Sequence, residues 1–216
     1  MSGPIVLTAF ERFGAWETNS TIEVVAEAAR WLRAEGRTVR TRVLPVDLEE
    51  AAPALEQALA GVPAPSAVVC CGLSGQARSV RVERVALNVA DFRIPDAAGR
   101  TPRGEPVVSG APEAFLTAVR VHDVVARLRA ADLPAEVSNS AGTYLCNAVY
   151  FHALRATRPH GIPALFLHLP PVPEAAARAV LRDPAAADPE AALPLADQVL
   201  AVVAVAELLA PGHPAA

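Results

Sequence analysis

The segment Pro4-Ile-Val-Leu-Thr-Ala9 is apolar almost throughout. A strand with one wet face alternates polar and apolar residues, whereas one buried on both faces, as in a parallel sheet, does not. The segment therefore predicts a buried strand at the start of an α/β fold. A loop over residues 10–19 then leads into a helix, where Ser20 and Glu23 form a capping-box pair and Ile22, Val25, Ala26, Ala29 and Leu32 keep a helical stripe. Gly36 ends that helix. Residues 37–44 alternate like a strand stopped by Pro45, and residues 48–59 read as a second helix. Ala67-Val-Val-Cys-Cys71 is another buried strand, running into the turn Gly72-Leu-Ser-Gly75. Further strands are expected over residues 81–89, up to Val137, and over 164–168. Helices are expected over 114–131, 143–157 and 195–209. A long loop covers 90–112, and 176–193 reads as a mobile surface stretch before the last helix. This alternation predicts one α/β domain over residues 1–216, a three-layer α/β/α sandwich around a mostly parallel, mixed twisted sheet.

Bulk composition narrows the function. The chain has 216 residues, 52% hydrophobic and only 5% aromatic, so its core must be built from Ala, Val and Leu. The net charge of −4, with no basic block, argues against a nucleic-acid partner. The segment from Leu195 to Ala210 is interrupted by Asp197, Gln198 and Glu207, too short and too polar to span a bilayer, so no membrane association is expected. Met1-Ser-Gly-Pro4 lacks the basic start of a signal peptide. Three cysteines do not make a disulfide framework, and the expected setting is a reducing cytoplasm.

The chemistry concentrates in Ser138-Asn-Ser-Ala-Gly-Thr-Tyr-Leu-Cys146-Asn147. It places a cysteine where a helical pattern begins, and a thiol at a helix N-terminus has its nucleophilic thiolate form favoured. Cys70 and Cys71 lie inside an apolar strand, where cysteine acts as a small hydrophobe. His168 stands near the far end of Ile162-Pro-Ala-Leu-Phe-Leu-His168-Leu-Pro170, either a buried core histidine or a base for Cys146. Glu83, between Arg81 and Arg84, is either part of a surface ion pair or the group that orients an imidazole. The residues alone leave these alternatives open. His122, His152, His160 and His213 have no Cys, Asp or Glu spacing that suggests a metal site.

Taken in order, several blocks resemble the pyrrolidone-carboxylate peptidases, also called pyroglutamyl peptidases. They are Thr8-Ala-Phe10-Glu-Arg-Phe13-Gly14 with Asn19; Leu44-Pro-Val46; Gly72-Leu-Ser-Gly75 with Glu83-Arg-Val-Ala-Leu-Asn88; Arg93-Ile-Pro-Asp-Ala-Ala-Gly99; and the Cys146 segment with Phe166-Leu-His168-Leu-Pro170 and Pro173-Glu174. The resemblance covers roughly residues 4 to 175. It implies a cysteine exopeptidase that removes an N-terminal pyroglutamyl residue from peptides. Cys146 matches the nucleophile, His168 the base, Glu83 the acidic third member, and Arg93 an arginine that helps hold the oxyanion. Phe10 and Phe13 match residues enclosing the lactam ring, and Asn19, Leu73, Ile94, Tyr144 and Leu145 match positions lining or supporting that pocket. The resemblance implies no metal or organic cofactor, and a homo-oligomer, often a tetramer.

The chain also departs from the family pattern. Leu73 stands where many members carry glutamine, Gln76-Ala77 replace a glycine and an arginine, and Arg81-Val82 replace threonine and proline. These departures keep two other readings in play: a different cysteine-dependent amide or ester hydrolase, and an inactive protein that holds peptide ends.

Overall fold

The computed structural model describes residues 3–188 and 190–210; Pro189 and the residues from 211 on, His213 among them, lie outside it. Its main sheet is built from β1 (Ile5–Phe10), β2 (Val39–Leu44), β3 (Ala67–Leu73), β4 (Val80–Glu83), β9 (Ala135–Ser138) and β10 (Ala164–Leu169), in the order β2-β1-β3-β10-β4-β9. β2, β1, β3 and β10 run parallel. β4 runs antiparallel to β10, and β9 follows β4. The sheet is thus mixed and mostly parallel. β1 and β3 are buried along their whole length, as their apolar sequences require.

Helices cover both faces. α1 (Ser20–Ala34), α3 (Val121–Arg129) and α6 (Leu195–Leu209) pack on one side, where Leu7, Val69, Leu165 and Leu167 meet Val25, Leu32, Val125 and Val202. α2 (Leu48–Leu59) and α4 (Leu145–Thr157) pack on the other, where Val6, Val68 and Phe166 meet Leu55, Val149 and Phe151. The cap of α1 is Asn19 rather than Ser20: its Oδ1 accepts from the Thr21 N–H at 3.2 Å and the Thr21 hydroxyl at 2.8 Å.

Three expectations need correction. Residues 81–89 are not one strand. The chain leaves the main sheet at Arg84, and β5 (Val85–Leu87) pairs instead with β8 (Ala114–Leu116). Residues 114–131 are therefore not one helix. Phe115 lies opposite Ala86 and stacks on Phe151 at 4.8 Å, and this tertiary pairing overrides the helical pattern of the first turn. The stretch 176–193 is not all loop, because its first part belongs to α5 (Pro173–Arg182), which buries Ala175, Ala176 and Ala179. The residues after it fold against the turn following β3: the Asp188 N–H donates to the Gly75 carbonyl at 2.9 Å, and Arg78 pairs with Asp188 at 2.7 Å.

The long segment 90–112 is also more ordered than a bare loop. β6 (Ala90–Asp91) pairs with β7 (Arg103–Glu105). The buried Asp96 ties the turn between them to α2, accepting from the N–H groups of Leu48 at 3.1 Å, Ala98 at 3.0 Å and Arg100 at 2.8 Å. Arg100 adds ion pairs to Asp47 at 2.7 Å and Glu49 at 2.5 Å. Replacing Asp96 by alanine strands those N–H groups, so we expect a loss of about 2 kcal/mol. For a chain of this size that corresponds to a fall in Tm of about 4–8 °C. Thermal unfolding of Asp96→Ala checks this; an unchanged Tm would contradict the assigned anchor.

Candidate active site

β10 ends at the edge of a cleft with His168 pointing to the α4 side. The register sets its neighbours: His168 lies opposite Gly72 on β3 and Arg81 on β4, and Phe166 lies opposite Glu83. Because β4 runs the other way, the Glu83 carboxylate reaches back to the imidazole. Glu83 Oε1 and His168 Nδ1 are 2.8 Å apart, with side-chain exposures of 1% and 12%. A carboxylate can only accept, so Nδ1–H donates, and Nε2 is the ring nitrogen that Glu83 does not engage. The Phe166 ring, 4.9 Å from the imidazole, packs beside it.

Cys146 is the second residue of α4; its sulfur lies over Gly72, the residue paired with His168 on the neighbouring strand, near enough to perturb the imidazole. Burial lowers the pKa of His168, but the Cys146 sulfur and the Glu83 carboxylate outweigh burial and raise it to about 9. The other thiols are placed differently. Burial pushes Cys70 up to about 12 and raises Cys71 further, and both are fully enclosed. Cys146 is only partly buried. The backbone N–H groups of Leu145 and Cys146 find no acceptor among the described residues, as the first turn of a helix dictates.

A small pocket adjoins the sulfur, lined by Phe10, Phe13, Asn19, Val46, Leu73, Tyr144, Leu145 and Cys146. It has no charged lining residue. Its free volume of about 20 Å³ is room for little more than one water. Of the expected pocket residues, Ile94 is not among the lining; it is 42% exposed and sits near Gly14. Arg93 is exposed and has no ion pair or hydrogen bond among the described residues. The segment carrying both does border the site: the Tyr144 hydroxyl donates to the Pro95 carbonyl at 3.1 Å, and the Ala97 N–H donates to the Val46 carbonyl at 2.8 Å. Arg81 leaves the Glu83–His168 pair alone; it bonds Glu136 at 3.1 Å and the Gln76 carbonyl at 3.3 Å.

Some supporting residues escaped the sequence reading. Val46 lines the pocket; it stood in the Leu44-Pro-Val46 block of the resemblance, with no role given to it. Asn147 is fully buried and clamps β5 to the start of α4: it accepts from the Leu87 N–H at 2.8 Å and donates to the carbonyls of Leu87 at 2.9 Å and Val89 at 3.0 Å. The Tyr150 hydroxyl, one turn on from Cys146, donates to the Glu83 carbonyl at 2.9 Å. An asparagine beside the cysteine and a tyrosine at i+4 were the available signals. Two surface cavities, of about 810 and 820 Å³, include none of Glu83, Cys146 and His168. Among the described residues no cluster of His, Cys, Asp or Glu could hold a metal ion.

The arrangement is a thiol, an imidazole and a carboxylate beside a neutral pocket. A family model described as pyroglutamyl peptidase matches residues 4–210. The chain belongs to the pyroglutamyl peptidase family. With it the chain belongs to the cysteine omega peptidases. It is 36% identical over 208 residues to the pyrrolidone-carboxylate peptidase of Deinococcus radiodurans, covering 95% of this chain and 93% of that one. It is 42% identical over 171 residues to the pyrrolidone-carboxylate peptidase of Clavibacter michiganensis, covering 77% and 78%. The pyrrolidone carboxyl peptidase structure from Thermococcus litoralis superposes with a TM-score of 0.83 at 30% identity, covering 96% of this chain and 93% of that one. That from Thermus thermophilus gives 0.77 at 35% identity, covering 93% and 97%.

The raised His168 pKa has a defined sign. It favours the imidazolium in the folded state, a stabilisation complete below the ordinary 6.5 and lost as pH rises through about 9. An NMR titration of the ring protons should give a midpoint near 9, moved down by Glu83→Gln and by Cys146→Ala. A midpoint unmoved by both substitutions would contradict the assigned contacts.

Proposed function

We propose that the protein hydrolyses the amide bond after an N-terminal pyroglutamyl residue, releasing pyroglutamate through a thioester on Cys146. The observation that carries this reading is the buried Glu83–His168 pair meeting Cys146 at the mouth of an uncharged pocket. A pyroglutamyl ring is small, flat and neutral. It can be buried among Phe10, Phe13, Leu73 and Tyr144 without stranding a charge, whereas the free ammonium of an ordinary peptide N-terminus cannot. The present free volume is too small for the ring, so entry requires the half-buried Phe13 and Tyr144, whose centroids are 6.4 Å apart, to separate.

In the reaction, His168 Nε2 takes the thiol proton and the sulfur attacks the pyroglutamyl carbonyl carbon. The oxyanion is met by the free N–H of Cys146, and by Arg93 when its exposed side chain folds in over the substrate. The imidazolium returns its proton to the leaving amine as the C–N bond breaks. Water, deprotonated by His168, then hydrolyses the thioester and restores the thiol. Glu83 holds the ring in the tautomer that this sequence needs. These steps call for no metal or organic cofactor.

The same reading takes peptides with an N-terminal pyroglutamate as substrates, a homo-oligomer, tetrameric by family resemblance, as the working form, and the cytoplasm as its setting. The described thiols are all unpaired, which suits a reducing compartment. Among the described residues no helix is long and apolar enough to cross a membrane.

Release of a fluorophore from a pyroglutamyl amide tests the proposal. Native protein should turn over, Cys146→Ala should not, and Glu83→Gln should lose on the order of 10²–10⁴-fold in kcat. Arg93→Ala should lose on the order of 10²–10³-fold if it meets the oxyanion as proposed. A matching prolyl amide should be cleaved far more slowly. Equal rates on the two substrates would favour a broader cysteine hydrolase, with Leu73 altering the acyl pocket.

A further inference from the structure

Gly72 is an internal strand residue whose glycine is not explained by its backbone. It is paired in register with His168, and its φ is not in the left-handed region that glycines such as Gly14, Gly36 and Gly142 occupy. What distinguishes it is space. A Cβ at this position would lie 2.9 Å from the Cys146 sulfur, 2.8 Å from Phe166 Cζ and 3.0 Å from Phe166 Cε1. Contacts that short are essentially never seen for a real Cβ, so a side chain here must displace something.

The neighbours differ in how freely they give way. Phe166 is fully buried, boxed in by Phe10 at 6.4 Å, Tyr150 at 5.7 Å and His168 at 4.9 Å. β3 lies between β1 and β10 and cannot retreat as a backbone. The thiol is the exception: rotation about the Cα–Cβ bond of Cys146 relieves the contact at the cost of one rotamer change. Any such rotation takes the sulfur out of its present place over Gly72, the residue paired with His168.

We propose that Gly72 is a positioning residue for the reaction, the hydrogen in place of its side chain being what lets the Cys146 sulfur seat beside the imidazole of His168. This rests on Cys146 being the nucleophile. It makes the sulfur's placement depend on β3 as well as on α4, and it explains why the fold tolerates a glycine between two buried residues, Cys71 and Leu73.

A double-mutant cycle tests it, with thermal unfolding and steady-state kinetics on native protein, Gly72→Ala, Cys146→Ala and the double variant. Gly72→Ala should lose on the order of 100-fold in kcat, as displacements of about 1 Å at a reacting atom do, with KM changed far less. Alkylation of Cys146 by iodoacetamide should slow in the same variant. The Tm penalty of Gly72→Ala should be smaller when Cys146 is alanine, because the sulfur it meets is gone. A chain that fails to fold as Gly72→Ala but folds as the double variant supports the same contact. Native-like kcat in Gly72→Ala, equal Tm penalties in both backgrounds, or loss of folding in both, would overturn the proposal. If Cys146→Ala itself retains turnover, the nucleophile assignment falls instead, and the Tm comparison still reads the contact between positions 72 and 146.

Discussion

A carboxylate removed from water to 1% exposure needs a partner that repays its desolvation, and Glu83 has one in His168 at 2.8 Å. Much of the site follows from that pair. It ties Nδ1 of the ring to the carboxylate and links β10 to β4 where the two strands pair. Glu83 Oε2 has no hydrogen-bond partner among the described residues, so its Oε1 contact with the imidazole is the one that compensates the buried charge. The arrangement is costly as a stabilising device. It makes sense as a device for holding an imidazole in one orientation.

The mixed sheet is what permits it. In a wholly parallel sheet, side chains at the carboxyl ends of the strands point out together. Phe10, Leu73 and His168 follow that rule at the ends of β1, β3 and β10. Glu83 does not: its strand is reversed, so it approaches His168 from the opposite direction and from a deeper level. Cys146 is delivered by neither route. It arrives on the first turn of α4, which Asn147 pins to β5 and Tyr150 pins to the end of β4. The helix thus carries the thiol and, through Tyr150, touches the strand that bears the carboxylate.

Much of the fold could be read from the sequence because it was local. Buried strands announced themselves through unbroken apolar runs such as residues 67–71, and α1 through its helical stripe. What was hidden was set by distant partners. Phe115 looked helical by its neighbours, yet becomes a strand residue because Ala86 pairs with it and Phe151 packs on it. The break at Arg84 exists because Ser138 and Thr117 take its backbone bonds, which no local pattern encodes. Asn19, rather than Ser20, caps α1 because its amide also bonds the Glu11 carbonyl at 3.1 Å. For the site, helix position alone singled out Cys146 among the thiols. For His168 and Glu83 the structural readings weighed more until the family resemblance joined them, since their meeting depends on β4 running antiparallel. Ile94 and Arg93 stood beside the pocket in that resemblance, while here they stay on the exposed side of a segment anchored by Asp96.

In the proposed reaction one sulfur, and no other, forms the covalent intermediate. The most direct measurement is acid-quenched mass spectrometry during turnover of a pyroglutamyl amide, followed by peptide mapping. A mass increase equal to one pyroglutamyl group on the peptide containing Cys146, absent from the peptide containing Cys70 and Cys71, is the predicted result. Turnover with no acylated species trapped under conditions where deacylation is slowed, or with the acyl group on another residue, would contradict it.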